Sequence, residues 1–169
     1  MIAFVLMLMV NEWLFSTLEF ARGINWIYLP AGMRLLCTLL FAEAGAVGLL
    51  LVSWLVCFFY FFPDDVSRSF MGGILAAAAP YLAYRIAQQA FGLRTSLSNL
   101  SSKRLFALIV FYSVASPVLH HIWFAIHGET DDFVRSFCIM FIGDLNGTVI
   151  VVYAMKMILS CFPSSTRAK

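Results

Sequence analysis

The sequence predicts an all-α integral membrane protein of about six transmembrane helices, with both ends on the cytoplasmic side. Three observations predict it. The 169 residues are 62% hydrophobic and only 12% charged, against roughly 25% charge in a soluble domain, and the mean hydropathy is +0.90. Long apolar stretches recur from Met1 to Phe162 with no polar segment large enough for a second domain, so residues 1–169 read as one polytopic domain. Basic residues gather near alternate loops, as they do where loops stay in the cytoplasm.

A crossing needs about 20 apolar residues, and on that measure six spans follow in order: about 2–21, 27–42, 46–62, 71–91, 104–127 and 133–162. The first carries no basic leader and no small-residue cleavage site before Asn11 and Glu12, so it reads as a retained span rather than a signal peptide. The second and third are short and read as a tight hairpin turning at Ala42-Glu43-Ala44-Gly45, where a glycine ends one helix and opens the next. In the fourth, four alanines at 76–79 before Pro80 let a neighbouring helix approach, and the proline kinks the span. A serine-rich linker at 92–103 separates four spans from two, and the sixth span is long enough to tilt.

Arg85, Arg94, Lys103 and Arg104 flank the fourth loop, and Lys156, Arg167 and Lys169 close the sequence; both regions are expected in the cytoplasm. The loop with Asp64 and Asp65 and the loop with Glu129, Asp131 and Asp132 each hold one arginine, Arg68 and Arg135, and fit the outside. Trp26, Tyr28, Tyr60 and Trp123 fall near outer ends, whereas Trp13 and Trp54 read as packing residues. The four cysteines, Cys37, Cys57, Cys138 and Cys161, stand alone in apolar runs and read as buried small hydrophobes.

Ionisable groups in hydrocarbon cost about 2.5–3.5 kcal/mol or more and usually face a bundle interior, so each marks a candidate site. Glu12, Ser16 and Glu19 are spaced four and three apart and share one helical face. Arg34 follows Pro30-Ala31-Gly32 at a depth that lets it pair with Glu12. His120 and His121 in the fifth span, and Asp144 and Asn146 in the sixth, reach a similar depth. A polar layer in the outer half is the expectation, with Glu12, Glu19, Arg34, His120, His121, Asp144 and Asn146 as ligand- or signal-binding candidates. Two readings of the layer stand side by side: a buried network that fixes how helices pack, or a cavity that senses a small molecule or a proton.

Adjacent His120 and His121 point about 100° apart on a helix and do not share one ion easily; the bland role is to satisfy a carbonyl at the kink made by Pro117. Neither a metal nor another cofactor is expected. The Gly143-x-x-x-Gly147 spacing marks a close helix contact, as Pro30 and Gly32 do at the opening of the second span. No serine–histidine–aspartate set, phosphate-cradling loop or zincin helix is legible, so the chain reads as no enzyme. No basic run grips phosphate backbones, so nucleic acid is not an expected partner.

The stretch Trp26-Ile27-Tyr28-Leu29-Pro30-Ala31-Gly32, and Phe141-Ile142-Gly143-Asp144-Leu145-Asn146-Gly147 in the last span, resemble the two signature stretches of the membrane-associated sensor domain of bacterial signalling proteins, the first of the MASE type. The hairpin, the alanine-rich span ending in Tyr84-Arg85 and the basic linker follow in the family's order, over about 26–158. The resemblance implies a multi-pass module of the bacterial inner membrane that receives a signal and stands before a cytoplasmic signalling domain. Two departures matter: the run 148–159 lacks the family's proline and further spans, and no output domain follows. A sensor-like module acting through a separate membrane or cytoplasmic protein is therefore the leading expectation, with membrane lipid around it and a small molecule as its ligand. A solute-binding subunit of a transporter, similar to the substrate-specific components of energy-coupling-factor systems, and an accessory subunit of a larger membrane complex are the alternatives.

Overall fold

The computed structural model describes residues 1–128 and 132–161. The chain is almost wholly helical: α1 (Ile2–Phe15), a 3-10 turn (Ser16–Leu18), a two-stranded ribbon β1 (Glu19–Ala21) and β2 (Ile24–Asn25), then α2 (Leu29–Val56), α3 (Val66–Phe91), α4 (Ser102–Ile126) and α5 (Phe133–Cys161). A π-helical turn, Cys57–Phe61, prolongs α2. Among the described residues, four helical segments are long and apolar enough to cross a membrane: Leu29–Phe61, Val66–Phe91, Ser102–Ile126 and Phe133–Cys161.

The last three agree closely with the spans at 71–91, 104–127 and 133–162, the final residue of which lies outside the described residues, as do Glu129, Asp131, Arg167 and Lys169. Local signals explain their ends. Asp65 caps α3 by accepting from the Arg68 amide at 2.9 Å, and Gly92 closes it in the left-handed region at φ 58°. Ser101 caps α4, its hydroxyl accepting from the Arg104 amide.

The first span departs from expectation. Helix α1 stops at Phe15 instead of near residue 21, because Glu19–Ala21 pairs antiparallel with Ile24–Asn25 around Gly23, whose φ is 79°. Only Phe4, Leu8 and Asn11 of α1 are buried, one stripe at helical spacing. Trp13 is 81% exposed, so it is not a packing residue.

The predicted second and third spans fall in the stretch Leu29–Phe61, which is two helical arms joined where the backbone reverses at the non-helical Ala42 (φ 48°, ψ −123°). Phe4 shows the reversal, packing in one cluster with Met33 and Cys37 before the turn and Leu49 and Val52 after it. The glycine expected to make the turn does something else. Ala42 takes the dihedrals of the first central residue of a type II′ turn, where glycine is usual, while Gly45 lets the arms close, since a Cβ there would strike the Cys37 carbonyl.

The first arm, 29–41, is the centre of the bundle. Ala31, Leu35 and Thr38 are fully buried, with α5 on one side and α1 on another. Helix α2 makes its most extensive contact with α3: Ala77 packs with Leu49 and Val52 of the second arm, while Ala79 joins Ala31, Leu35 and Leu39 of the first. Trp54 seals that contact near the ribbon end: its ring stacks on Phe70 at 5.3 Å and Nε1–H donates to the Phe70 carbonyl at 2.9 Å. At the other end Arg85 meets Glu43 at 3.8 Å. The Ser69 hydroxyl reaches the carbonyls of Cys57 (3.0 Å) and Phe62 (2.7 Å), satisfying the π-helical turn. Among the cysteines, Cys57 is buried and Cys37 half-buried, but Cys138 and Cys161 are exposed on the outer face of α5, so burial does not account for all four. Large apolar side chains are exposed on several elements, Ile2, Phe59, Ile126 and Val134 each by more than two-thirds, as suits contact with lipid.

Candidate functional site

The two stretches that carry the family resemblance lie against one another. The Tyr28 amide donates to the Gly143 carbonyl at 3.1 Å, and the Asn146 side-chain amide donates to the Trp26 carbonyl at 3.3 Å. Gly143 is packed under the Asn25 carbonyl and Gly147 under the Tyr28 carbonyl, each so close that a Cβ would collide. A Cβ on Gly32 would stand 2.7 Å from that of Val151. Pro30 sits in the first turn of α2, where its missing N–H costs nothing. Gly32 and Gly147 therefore meet at the α2–α5 contact and Gly143 lies just before it under β2, while Pro30 opens α2 beside them.

Asn11 fastens the same junction. Its side-chain oxygen accepts from the Leu29 amide at 2.8 Å, supplying the helix start with the partner that no local cap provides. Sequence reasoning did not single it out as a site residue. The signal was present: an asparagine inside an apolar helix, spaced three from Leu8 and seven from Phe4.

On the other side of the first arm, α2, α3 and α4 leave a cavity of about 60 Å³ below the β1–β2 ribbon, enough for a few waters or the head of a small molecule. Its basic lining is Arg22 from the ribbon, Arg34 from the first arm, Arg68 from α3 and His120 from α4. Its walls are aromatic: Phe4, Tyr28, Phe61, Phe62, Trp123 and Phe124. Among the described residues, no carboxylate lines it.

The arginines are fixed by rings. The Arg34 guanidinium lies 5.4 Å from the centres of both Phe4 and Tyr28, and Nη2–H donates to the Tyr28 hydroxyl at 3.4 Å. Arg68 lies 4.5 Å over Phe62 and 5.7 Å from Phe124, and Arg22 lies 5.9 Å over Tyr60. Arg34 is only 8% exposed, and its Nε has no hydrogen-bond partner among the described residues. Arg22 and Arg68 were not among the candidates, because a loop arginine beside acidic residues carries no burial signal in sequence.

The expected polar layer divides into separate places. Arg34 and His120 line the cavity. Asp144 is buried at 1% exposure against the Ser116 hydroxyl and in the field of Arg34, with Oδ2 unpartnered, but does not reach the cavity wall. Arg34 and Glu12 do not pair: Glu12 instead accepts from the Tyr60 hydroxyl at 3.3 Å. Glu19 is exposed at the start of the ribbon, accepting from the Gly23 amide, and Ser16 is exposed as well, so the shared inward face ends with the helix. Asn146 is exposed and serves the α2–α5 junction.

The histidines part company in the same way. His120 Nδ1 meets the Ser116 carbonyl and His121 Nδ1 the Pro117 carbonyl, each at 2.8 Å, which places a proton on each Nδ1. His121 is buried, with Nε2 2.8 Å from the Ser136 hydroxyl and rings of Phe124, Phe133 and Phe137 about it; it joins α4 to α5. Only His120 turns toward the cavity. Among the described residues, no group of three or more histidine, cysteine or acidic side chains is placed to hold a metal. Comparison of the chain with models of known families, with curated proteins and with solved structures finds no match.

Proposed function

We propose that this chain is a non-catalytic, multi-span membrane module of sensor-like or regulatory type, which receives a signal in the arginine-lined cavity and passes it to a partner protein. The observation that carries the reading is Arg34: a cation placed in the centre of the bundle, without an ion pair among the described residues, facing a space that other elements leave open. A charge retained only for packing is ordinarily paired. The contact between the 26–32 and 141–147 stretches supports the likeness to a membrane-associated sensor domain, since residues resembling its two signatures form one unit here.

In this reading the chain makes six passes of a bacterial inner membrane, and the ribbon end faces outward. The reversal at Ala42 supports it by letting Leu29–Phe61 enter and return. The first arm is only about 20 Å long at ~1.5 Å per residue, short of the ~30 Å hydrocarbon core. Most of it is enclosed by protein, with Leu40 and Phe41 exposed at its end, which relieves it of matching the bilayer. Basic Arg94, Lys103 and Arg104 at the opposite end fit a cytoplasmic face.

The same cavity suits a solute-binding subunit of a transporter, and one experiment separates the classes. Arg34→Ala and Asp144→Ala are compared with the parent for membrane abundance and for proteins crosslinked to the chain in its host. A regulatory module loses partner association or output by at least fivefold while abundance stays within twofold. A collapse of abundance alone identifies the polar groups as packing elements and sinks the reading.

A further inference from the structure

A guanidinium held in a low-dielectric interior gains most from an anion that reaches it without water, because charge-assisted hydrogen bonds there are about twice as strong as neutral ones. Arg34 is more than nine-tenths buried and keeps an unpartnered Nε beside the cavity it lines. Arg22 and Arg68 face the same space from two other elements, and among the described residues no carboxylate does. The lining is therefore cationic by composition, not through a single side chain.

The walls narrow the ligand further. Six aromatic rings surround a volume of about 60 Å³, which excludes a nucleotide or a sugar phosphate as a fully enclosed guest and favours a small head with an apolar body. The stacking of Arg34 on Phe4 and Tyr28, and of Arg68 on Phe62, holds two planar forks in set orientations. Planar forks match the two oxygens of a carboxylate. Arg22, exposed on the ribbon and over Tyr60, stands on the side from which such an anion would enter.

Resting on the reading that the cavity receives the signal, we infer that its ligand is a small organic monocarboxylate with an aromatic or short aliphatic body, its carboxylate held by Arg34 with Arg68. The acid reaches the site from water or laterally from the lipid; the chemistry at the arginines is the same.

The test uses the full chain purified in a non-ionic maltoside detergent, with binding measured by calorimetry. Benzoate represents a soluble acid, octanoate a lipid-derived one, benzamide the neutral isostere of benzoate, and inorganic phosphate a non-carboxylate anion. Benzoate or octanoate is expected to bind saturably, benzamide at least tenfold more weakly than benzoate, and Arg34→Gln or Arg68→Gln to weaken the bound acid at least tenfold. Binding of benzoate alone assigns the source to water, and binding of octanoate alone to the bilayer. Equal binding of benzoate and benzamide, binding of phosphate but neither acid, or binding of nothing overturns the inference. If Arg34→Gln does not fold, Arg22→Gln at the exposed mouth decides instead, with a threefold or greater loss expected and an unchanged affinity counting against it. Partner crosslinking is measured on the same preparations. Crosslinking that depends on Arg34 without carboxylate binding removes only the ligand class, whereas carboxylate binding without any partner removes the regulatory reading and keeps the site.

Discussion

The two sides of the first arm of α2 make opposite use of the same helix. Toward α5, backbone meets backbone: Gly32, Gly143 and Gly147 leave no room for a methyl group, and the junction is laced by the Tyr28 amide and the Asn146 side chain. Toward α3 and α4, two residues after Gly32, Arg34 faces a space bounded by large rings that do not close on one another. The tight side has the geometry of small-residue packing in a bilayer, where close approach replaces the absent hydrophobic drive between helices. The loose side keeps a costly cation. The difference teaches that close backbone packing is concentrated along α5, and that the buried cation lies on the cavity side.

The largest expected effect breaks the tight side. Gly147→Val would drive a branched side chain into the Tyr28 carbonyl, and overpacking of this kind costs about 1–3 kcal/mol, more when backbone must move. Thermal unfolding in detergent is expected to show a loss of at least 3 kcal/mol; a change below 1 kcal/mol would mean that the contact is not as close as described.

A smaller effect falls on the junction where the two sides begin. Asn11→Ala removes the acceptor of the Leu29 amide, leaving a buried N–H unsatisfied at a cost of about 1–3 kcal/mol. Hydrogen–deuterium exchange at the start of α2 is expected to rise by one to two orders of magnitude while α4 is unaffected. Uniform exchange across both would show that Asn11 holds no local cap.

The smallest effect has the opposite sign and sharpens the comparison. Ala42→Gly relieves a positive φ that costs a non-glycine residue about 1 kcal/mol or more, offset in part by the greater freedom of glycine in the unfolded chain. A gain of up to about 1 kcal/mol in unfolding free energy is expected, with the hairpin intact. A loss would mean that the reversal depends on the Ala42 side chain, 8% exposed in the core.

Particular residues show what could be read beforehand. Helices α3, α4 and α5 were legible because each is a run of 25 to 29 residues with local stop and start signals at Asp65, Gly92 and Ser101. Arg34 and His120, which line the cavity, stood out in the sequence because ionisable groups within apolar runs are rare. The end of α1 was not, because residues 16–21 remain apolar enough to continue a helix and only pairing with Ile24–Asn25 draws them into a ribbon. That pairing placed Glu19 on the surface and left Glu12 with Tyr60 instead of Arg34.

The sequence by itself determined the helical class, the long apolar runs suited to crossing a membrane, and the buried position of Arg34, because apolar run length and the cost of buried charge act locally. Tertiary structure alone decided that residues 26–32 meet 141–147, that Ala42 and not Gly45 reverses the chain, and that Arg22 and Arg68 join Arg34 around one cavity. Those are contacts between residues up to about 120 positions apart. Their partners are selected by packing geometry and hydrogen-bond satisfaction in three dimensions, which no local pattern records.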